Sequence, residues 1–256
     1  MKKIILFILL LILLVSGGAI WFLGSDKLNI LIAEQIEVQG SKITDQVVTV
    51  KKVDMQLLHG AGTINGLVLN NPKGYSTTPA FSLDTVTLDI NIKSLAGTSK
   101  GEPIVIDAVI IDTPEALVEF NETGGSNIQE ILDAVNKNLP KSAASEPTSE
   151  PSNTGTGPQP NIKVKKFVLA GVALRVDLTK LGNTKHKKTL PDINLSNIGG
   201  EAGLPANELG GELLKRALSA IWKSAKNEQQ KVLEDKVKDK AKEKATELFD
   251  KWKKDN

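Results

Sequence analysis

Few residues in this chain are suited to chemistry. Its 256 residues include two histidines, His59 and His186, and no cysteine. The histidines lie far apart and in no metal-ligand spacing, which argues against a mononuclear zinc hydrolase. Without cysteine, disulfides, thiolate catalysis and iron–sulfur clusters are excluded. The acids with some prospect of pairing are Asp84, Asp89, Asp107 and Asp112, all on strands or strand ends. Two carboxylates from neighbouring strands would suit acid–base work. Tyr, His and Arg are scarce around them, so an enzyme of this kind is a poor expectation. Gly60-Ala61-Gly62 with Gly66 approaches a dinucleotide fingerprint. Its spacing is one residue too long, and Leu67-Val68-Leu69 reads as a strand where a phosphate would need a helix N-terminus. A glycine turn is expected instead. No Gly-x-x-x-x-Gly-Lys-Ser/Thr loop occurs. Asn121-Glu122-Thr123 and Asn194-Leu195-Ser196 match the glycosylation pattern, which is common by chance. The expectation is a non-enzymatic chain with no catalytic residue, metal or cofactor.

Location is better marked than chemistry. Lys2 and Lys3 precede Ile4 to Leu23, a stretch without charge. Its twenty positions would reach roughly 30 Å as a helix, one hydrocarbon core. The positive-inside rule keeps Lys2 and Lys3 in the cytoplasm and exports the body. The rival is a cleaved signal peptide, with Ser16-Gly17-Gly18-Ala19 as small residues after a dense apolar run. The apolar stretch resumes at Ile20-Trp21-Phe22-Leu23, and Trp21 suits the far membrane interface. A retained single-pass anchor over residues 1–25 is therefore expected. Lys and Arg total 32 against 30 Asp and Glu, a net charge of +2. Nucleic acid is not an expected partner, since phosphate binders carry a basic surplus.

The elements beyond the anchor read as strands first and helix last. Period-two alternation runs from Val47 to Leu195. Val86, Leu88, Ile90 and Ile92 point one way within Ser82 to Ile92, and Val172, Leu174, Val176 and Leu178 repeat the pattern. Ile104 to Ile111 is apolar on both faces, as in a central strand. Strands that follow one another without helices favour antiparallel pairing. A two-three-two spacing recurs in Val48, Val50, Val53, Met55; in Ile104, Ile106, Val109, Ile111; and in Ile162, Val164, Phe167, Leu169. The copies are offset by 56 and then 58 residues, and Ala116 and Val118 correspond to Leu174 and Val176. Chance accounts for so short a pattern as well as a structural repeat does. A real repeat would mean bent strand pairs side by side in one curved sheet, with a bulge at each three-residue step.

Helical spacing appears at Ile128, Ile131, Leu132, Val135 and Leu139, with Ser126 or Asn127 as N-cap. Residues 140–160 are rich in Pro, Ser, Gly and Thr and read as a flexible loop. Sheet pattern resumes over 161–203. A long helix follows over 204–256, starting near Pro205. Leu209, Leu213, Leu214, Ala217, Leu218, Ile221, Trp222 and Ala225 form its apolar stripe. Beyond Lys226 the stripe thins, and Lys223 to Asn256 hold eleven Lys and eight acids. That mixture reads as a solvated face, with a coiled-coil or membrane-surface role as alternatives.

The order of motifs resembles the AsmA-like family of bacterial envelope proteins, in a short form. The residues that carry it are Val50-x-x-Val53-Asp54, Gly62-x-Ile64-x-Gly66-Leu67-x-Leu69-x-Asn71-Pro72-x-Gly74-Tyr75 and Ala80-Phe81-x-Leu83. Ile104-x-Ile106 running to Pro114 and Glu119, Asn127, and Leu190-Pro191-Asp192-Ile193-x-Leu195-x-Asn197-Ile198-Gly199 complete it. The resemblance covers about Val47 to Ile221 and rests on turns and strand patterns. It implies an inner-membrane anchor and a periplasmic sheet curved like a gutter, similar to bridge-like lipid transfer proteins. The expected fold is a mainly β, curved antiparallel half-barrel over 26–139 and 161–203, with a short mid-chain helix and a long C-terminal amphipathic one. A one-sided apolar sheet must be covered, and any uncovered part is a lipid groove or docking surface. Candidate groove residues are Val86, Leu88, Ile90, Ile92, Val172, Leu174 and Val176. The alternative is a scaffold that meets an envelope protein partner through the C-terminal helix.

Overall fold

The computed structural model describes residues 26–139, 161–182 and 184–254. The expected anchor over 1–25 and flexible loop over 140–160 lie outside the described residues. Among the described residues no helix is long and apolar enough to cross a membrane. The fold is mixed α/β, an open curved sheet with a long C-terminal helix.

Helix α1 (Asp26–Thr44) is followed by β1 (Val48–Thr49), β2 (Lys52–Gln56), β3 (Ala61–Leu69) and β4 (Phe81–Ile90). β1 and β2 both pair antiparallel with β3, and β3 pairs antiparallel with β4. A short helix α2 (Ile92–Gly97) leads to β5 (Ile104–Asp112) and β6 (Glu115–Glu119). Helix α3 (Asn127–Asn138) precedes β7 (Asn161–Ala170), β8 (Ala173–Asp177), β9 (Lys185–Thr189), β10 (Ile193–Ile198) and β11 (Leu204–Pro205). Helix α4 (Ala206–Lys254) ends the chain. The sheet order is β10-β7-β5-β4-β6-β8-β9, with β3 also on β4, β1 and β2 on β3, and β11 on β7.

The sheet departs from the expected antiparallel arrangement. β5 and β6 run parallel to β7 and β8. A parallel return requires a long crossover, usually through a helix. The stretch from Phe120 to Pro160, which contains α3, supplies that connection. The parallel register is the recurrent spacing itself. Ile104, Ile106, Val109 and Ile111 stand beside Ile162, Val164, Phe167 and Leu169. Ala116 and Val118 stand beside Leu174 and Val176. The copies at 104 and 162 are thus one bent strand pair laid twice. The copy at 48 is split between β1 and β2 and lies beyond β3 at the sheet edge.

Both bends have a local cause. The pairing of β4 with β5 shifts between Asp89 and Ile90, from Asp89–Ala108 to Ile90–Ile106. Asp107 is the extra residue, so the bulge falls inside the three-residue step. Its carboxylate accepts from Asn91 Nδ2 at 3.1 Å and pairs with Lys165 Nζ at 2.6 Å. The second bend separates β5 from β6 at Thr113 and β7 from β8 at Gly171. Both have positive φ, 45° and 58°. Such angles crowd any side chain, most of all a β-branched one.

Helix α3 begins where expected. Ser126 Oγ accepts from Gln129 N at 3.2 Å, and Ile128, Ile131, Leu132 and Val135 are buried. In α4, Leu209, Ala217, Leu218, Ile221 and Ala225 are buried, while Leu213, Leu214 and Trp222 are half-buried against the core. Gly211 lets α4 approach Leu139 closely, since a Cβ there would displace the end of the Leu139 side chain. From Leu233 to Thr246 every described side chain is exposed, so this part of α4 projects beyond the sheet.

Helix α1 falls in a region read only as the start of the β portion. Its Leu28, Ile32 and Ile36 are interleaved with Asn, Glu and Gln, which blurs the stripe. It seals an edge. Asn29 Oδ1 accepts from Met55 N, Glu37 Oε1 from Val50 N and Ser41 Oγ from Val48 N, at 2.8–2.9 Å. Positions 29, 37 and 41 share one helix face, so three backbone donors along this edge, those of Val48, Val50 and Met55, are satisfied by side chains. Away from α1, the sheet ends in β9, β10 and β11; β9 is protected by Lys185, Lys187 and Lys188, and α4 packs on β10 and β11. His186 is half-buried on that strand. Its Nε2 lies 3.3 Å from Thr184 Oγ1.

Candidate functional site

Strand partners share a face of the sheet, so register orders the apolar side chains into rows across it. One row runs Val48, Leu69, Phe81, Ala116, Leu174, and all of it is buried. A second runs Val53, Ile64, Val86, Ile111, Leu169, Ile193. The third is Met55, Gly62, Leu88, Val109, Phe167, Leu195. Beyond these, Ile90, Ile106, Val164 and Ile198 align, followed by Ile104, Ile162 and Leu204. The first row is fully buried and the rows beyond it are covered only in part. Ile64, Leu88, Ile106, Ile104, Ile162 and Leu204 are only half-buried.

The positions of the helices explain the difference. Helix α1 packs chiefly on β1 and β2. Helix α4 packs on β6, β7, β8, β10 and β11, and α3 on β6 and the other two helices. The middle strands β3, β4 and β5 lie between the two helical covers. Their apolar side chains toward the start of β5 form a half-open strip of Ile64, Leu88 and Ile106.

The groove candidates separate on this map. Val172, Leu174 and Val176 are at most 1 % exposed, under the α3–α4 end, and belong to the closed core. Val86 and Ile90 are also buried, and Leu88 lies in the strip. Ile92 is not on the strand at all. The strand ends at Ile90, and Asn91 starts α2, leaving Ile92 exposed. Sequence reading missed Ile64 and Ile106 as strip residues. Their alternation was visible, but the two covering helices had to be placed before the uncovered rows could be told from the covered ones.

A polar cluster closes the other end of the sheet. Asn127, fully buried, donates through Nδ2 to Asn71 Oδ1 at 2.6 Å and Leu117 O at 2.8 Å. Its Oδ1 accepts from Glu119 N at 2.9 Å. Glu119 Oε2 accepts from Asn71 Nδ2, Ser76 N and Ser76 Oγ at 2.7–3.1 Å. Tyr75 Oη donates to Glu130 Oε1 at 2.6 Å, and Lys180 Nζ lies 5.8 Å from the Tyr75 ring centre. Burial, then the hydrogen bond and charge of Glu130, hold the Tyr75 phenol well above its ordinary range. It stays protonated at neutral pH, and these polar atoms are spent on one another. The cluster pins the segment from Asn70 to Ala80 to α3 and β6.

No family model, curated protein or solved structure matches this chain. Geometry alone must therefore discriminate between chemistries. Asp84, Asp89, Asp107 and Asp112 do not converge on a pocket, and Asp107 is committed to Lys165 and Asn91. Among the described residues no group of three or more His, Asp or Glu is placed to hold a metal ion. Gly60, at φ 68°, ends a single turn of 3-10 helix, and Gly62 lies within β3, where a Cβ would meet Met55 Sδ at 2.5 Å. These glycines serve a turn and a close approach rather than a phosphate. A shallow depression of about 360 Å³ lies along Trp222, Lys223, Lys226, Asn227 and Gln230. It is formed by α4 alone and brings no acid–base pair together.

Proposed function

We propose that this chain is a membrane-anchored, non-enzymatic lipid-binding protein of the cell envelope. Its body lies on the periplasmic side of the inner membrane and takes acyl chains on the half-open strip. The AsmA-like resemblance and the uncharged stretch Ile4 to Leu23 support the location. The observation that carries the reading is the strip itself. Ile64, Leu88 and Ile106 are half-buried side chains on the middle strands of the apolar face, between the α1 and α4 covers. Covering acyl chain contributes about 0.8 kcal/mol per CH₂, so contact with even half a chain would hold a lipid. The strip is smaller than the groove drawn from the sequence, since the β8 residues lie in the core.

The test is photocrosslinking of the full chain, purified in detergent, with a phospholipid bearing a photoreactive acyl chain. Adducts on peptides holding Ile64, Leu88 or Ile106 are expected. Adducts confined to Met1–Leu23 would defeat the groove reading.

A scaffold role through α4 is the second reading. It is favoured by the exposed apolar side chains Leu233 and Val237 on the projecting part of the helix. It predicts that removal of residues after Ala225 abolishes complexes in envelope extracts without unfolding the sheet.

A further inference from the structure

Apart from Leu233 and Val237 on the projecting part of α4, the exposed large apolar side chains are not scattered. Ile30, Leu31, Val38, Val47, Leu58 and Ile92 are each close to half exposed or more, and all lie on α1, on the adjoining edge or on the turns beside it. Four of them gather at one end. Asn29 Oδ1 accepts from Met55 N, which sets the first turns of α1, with Ile30 and Leu31, against the end of β2. Leu58 lies in the turn that follows β2. A Cβ on Gly60 would come within 3.0 Å of Ile92 Cγ1, so the start of α2 touches that same turn. The strip ends here too, since Ile106 pairs with Ile90 and Asn91 N donates to Val105 O. Leu31 is turned away from the face of α1 that bonds the strand edge. Lys27 and Lys93, both exposed, neighbour these side chains in sequence.

The chain itself says what covers this end. Asp26 follows Leu23 by two intervening residues, and Leu23 closes the uncharged stretch from Ile4. A tether that short gives the body no freedom to stand off from the bilayer that receives the stretch. We propose that Ile30, Leu31, Leu58 and Ile92 form a docking surface that rests in the interface of that bilayer, with the end of the strip facing the lipid. The occupant is phospholipid, with acyl chains against the four apolar side chains and headgroup phosphates within reach of Lys27 and Lys93. This deepens the proposed function and rests on its membrane-anchored reading.

The chain has no cysteine, so single Leu31→Cys, Leu58→Cys and Ile92→Cys variants of the full chain can each carry one spin label. Lys187→Cys on β9 and Val237→Cys on α4 are the controls. All five positions are exposed, and unchanged thermal midpoints would show that the label leaves the fold intact. In vesicles of phosphatidylcholine and phosphatidylglycerol, labels at 31, 58 and 92 are expected to meet dissolved oxygen severalfold more, relative to a water-soluble nickel chelate, than the two controls. If the chain floats with the vesicles but these labels meet nickel as freely as the control at 187, the docking surface is wrong and the anchored reading stands. If the chain does not float at all, both fail.

Discussion

Asn127 shows how much structure can depend on one polar side chain. It is fully buried and bonded on both its oxygen and its nitrogen. Asn127→Ala would leave Glu119 N and Leu117 O buried without partners, and each such group costs about 1–3 kcal/mol. A loss of about 3 kcal/mol is expected, read as a fall in the urea midpoint with an unchanged slope. The residues named for their resemblance, Asn71, Tyr75, Glu119 and Asn127, were legible as separate marks along the chain. Their mutual contact was not, because 48 residues separate Asn71 from its partner Glu119. Asp177 offers a pH test. Burial raises its pKa, but the Thr179 hydroxyl and amide and Lys185 outweigh that and leave it below the ordinary value of 3.8. A lowered folded-state pKa stabilises the protein above the unfolded value, and this contribution is lost as pH falls through the folded one. Asp177→Asn should therefore be less stable than wild type at pH 6, and the difference should shrink as pH drops below about 4. A constant gap in denaturation midpoint across that range would contradict the assignment.

Among the elements, the bent strands carry the clearest expectation. Thr113 and Gly171 occupy matching corners of β5–β6 and β7–β8, both with positive φ. A left-handed residue with a side chain costs roughly 1–2 kcal/mol. Gly171→Ala should lose about that much, and the loss is conformational, because the nearest atom to the new Cβ would be Thr113 Cγ2 at 3.7 Å. Thr113→Gly should not lower stability, since it relieves the same conformation. Equal losses in the two variants, by thermal or urea unfolding, would show that the corners are not equivalent. Helix α4 divides in the same testable way. Leu218, Ile221 and Ala225 are fully buried, whereas the described side chains from Leu233 to Thr246 are exposed. Ending the chain after Val232 should shift stability by no more than about 0.5 kcal/mol. Ending it before Leu218 should abolish cooperative unfolding. The spacing of apolar residues made the repeat and the α4 stripe readable, because bent strands and helices each impose their own period. The bend at Thr113–Pro114 was less visible, since threonine is an unusual choice for a left-handed corner.

At the scale of the whole molecule, both edges of an open sheet must be protected. β9 uses lysines, and β1–β2 use the Asn29, Glu37 and Ser41 side chains of α1. Asn29→Ala, Glu37→Ala and Ser41→Ala together would free three backbone donors along one edge. The combined variant should self-associate while the wild type does not, and sedimentation velocity of the two at equal concentration reads the difference. Lysines on β9 would still block the far side, so association should stop at pairs rather than run on as fibres.

The amino-acid sequence by itself determined the periods: where strands alternate, where α3 starts at Ser126, where α4 is greasy and where it is charged. These are local properties, written in the spacing of neighbours a few residues apart. Tertiary structure alone decided that the chain crosses over to make β5–β7 and β6–β8 parallel, and that α1 seals an edge. It also decided that Val172, Leu174 and Val176 lie under a helical roof while Ile64, Leu88 and Ile106 do not. Alternation tells which side of a strand is apolar, but whether that side is covered depends on elements brought from elsewhere in the chain.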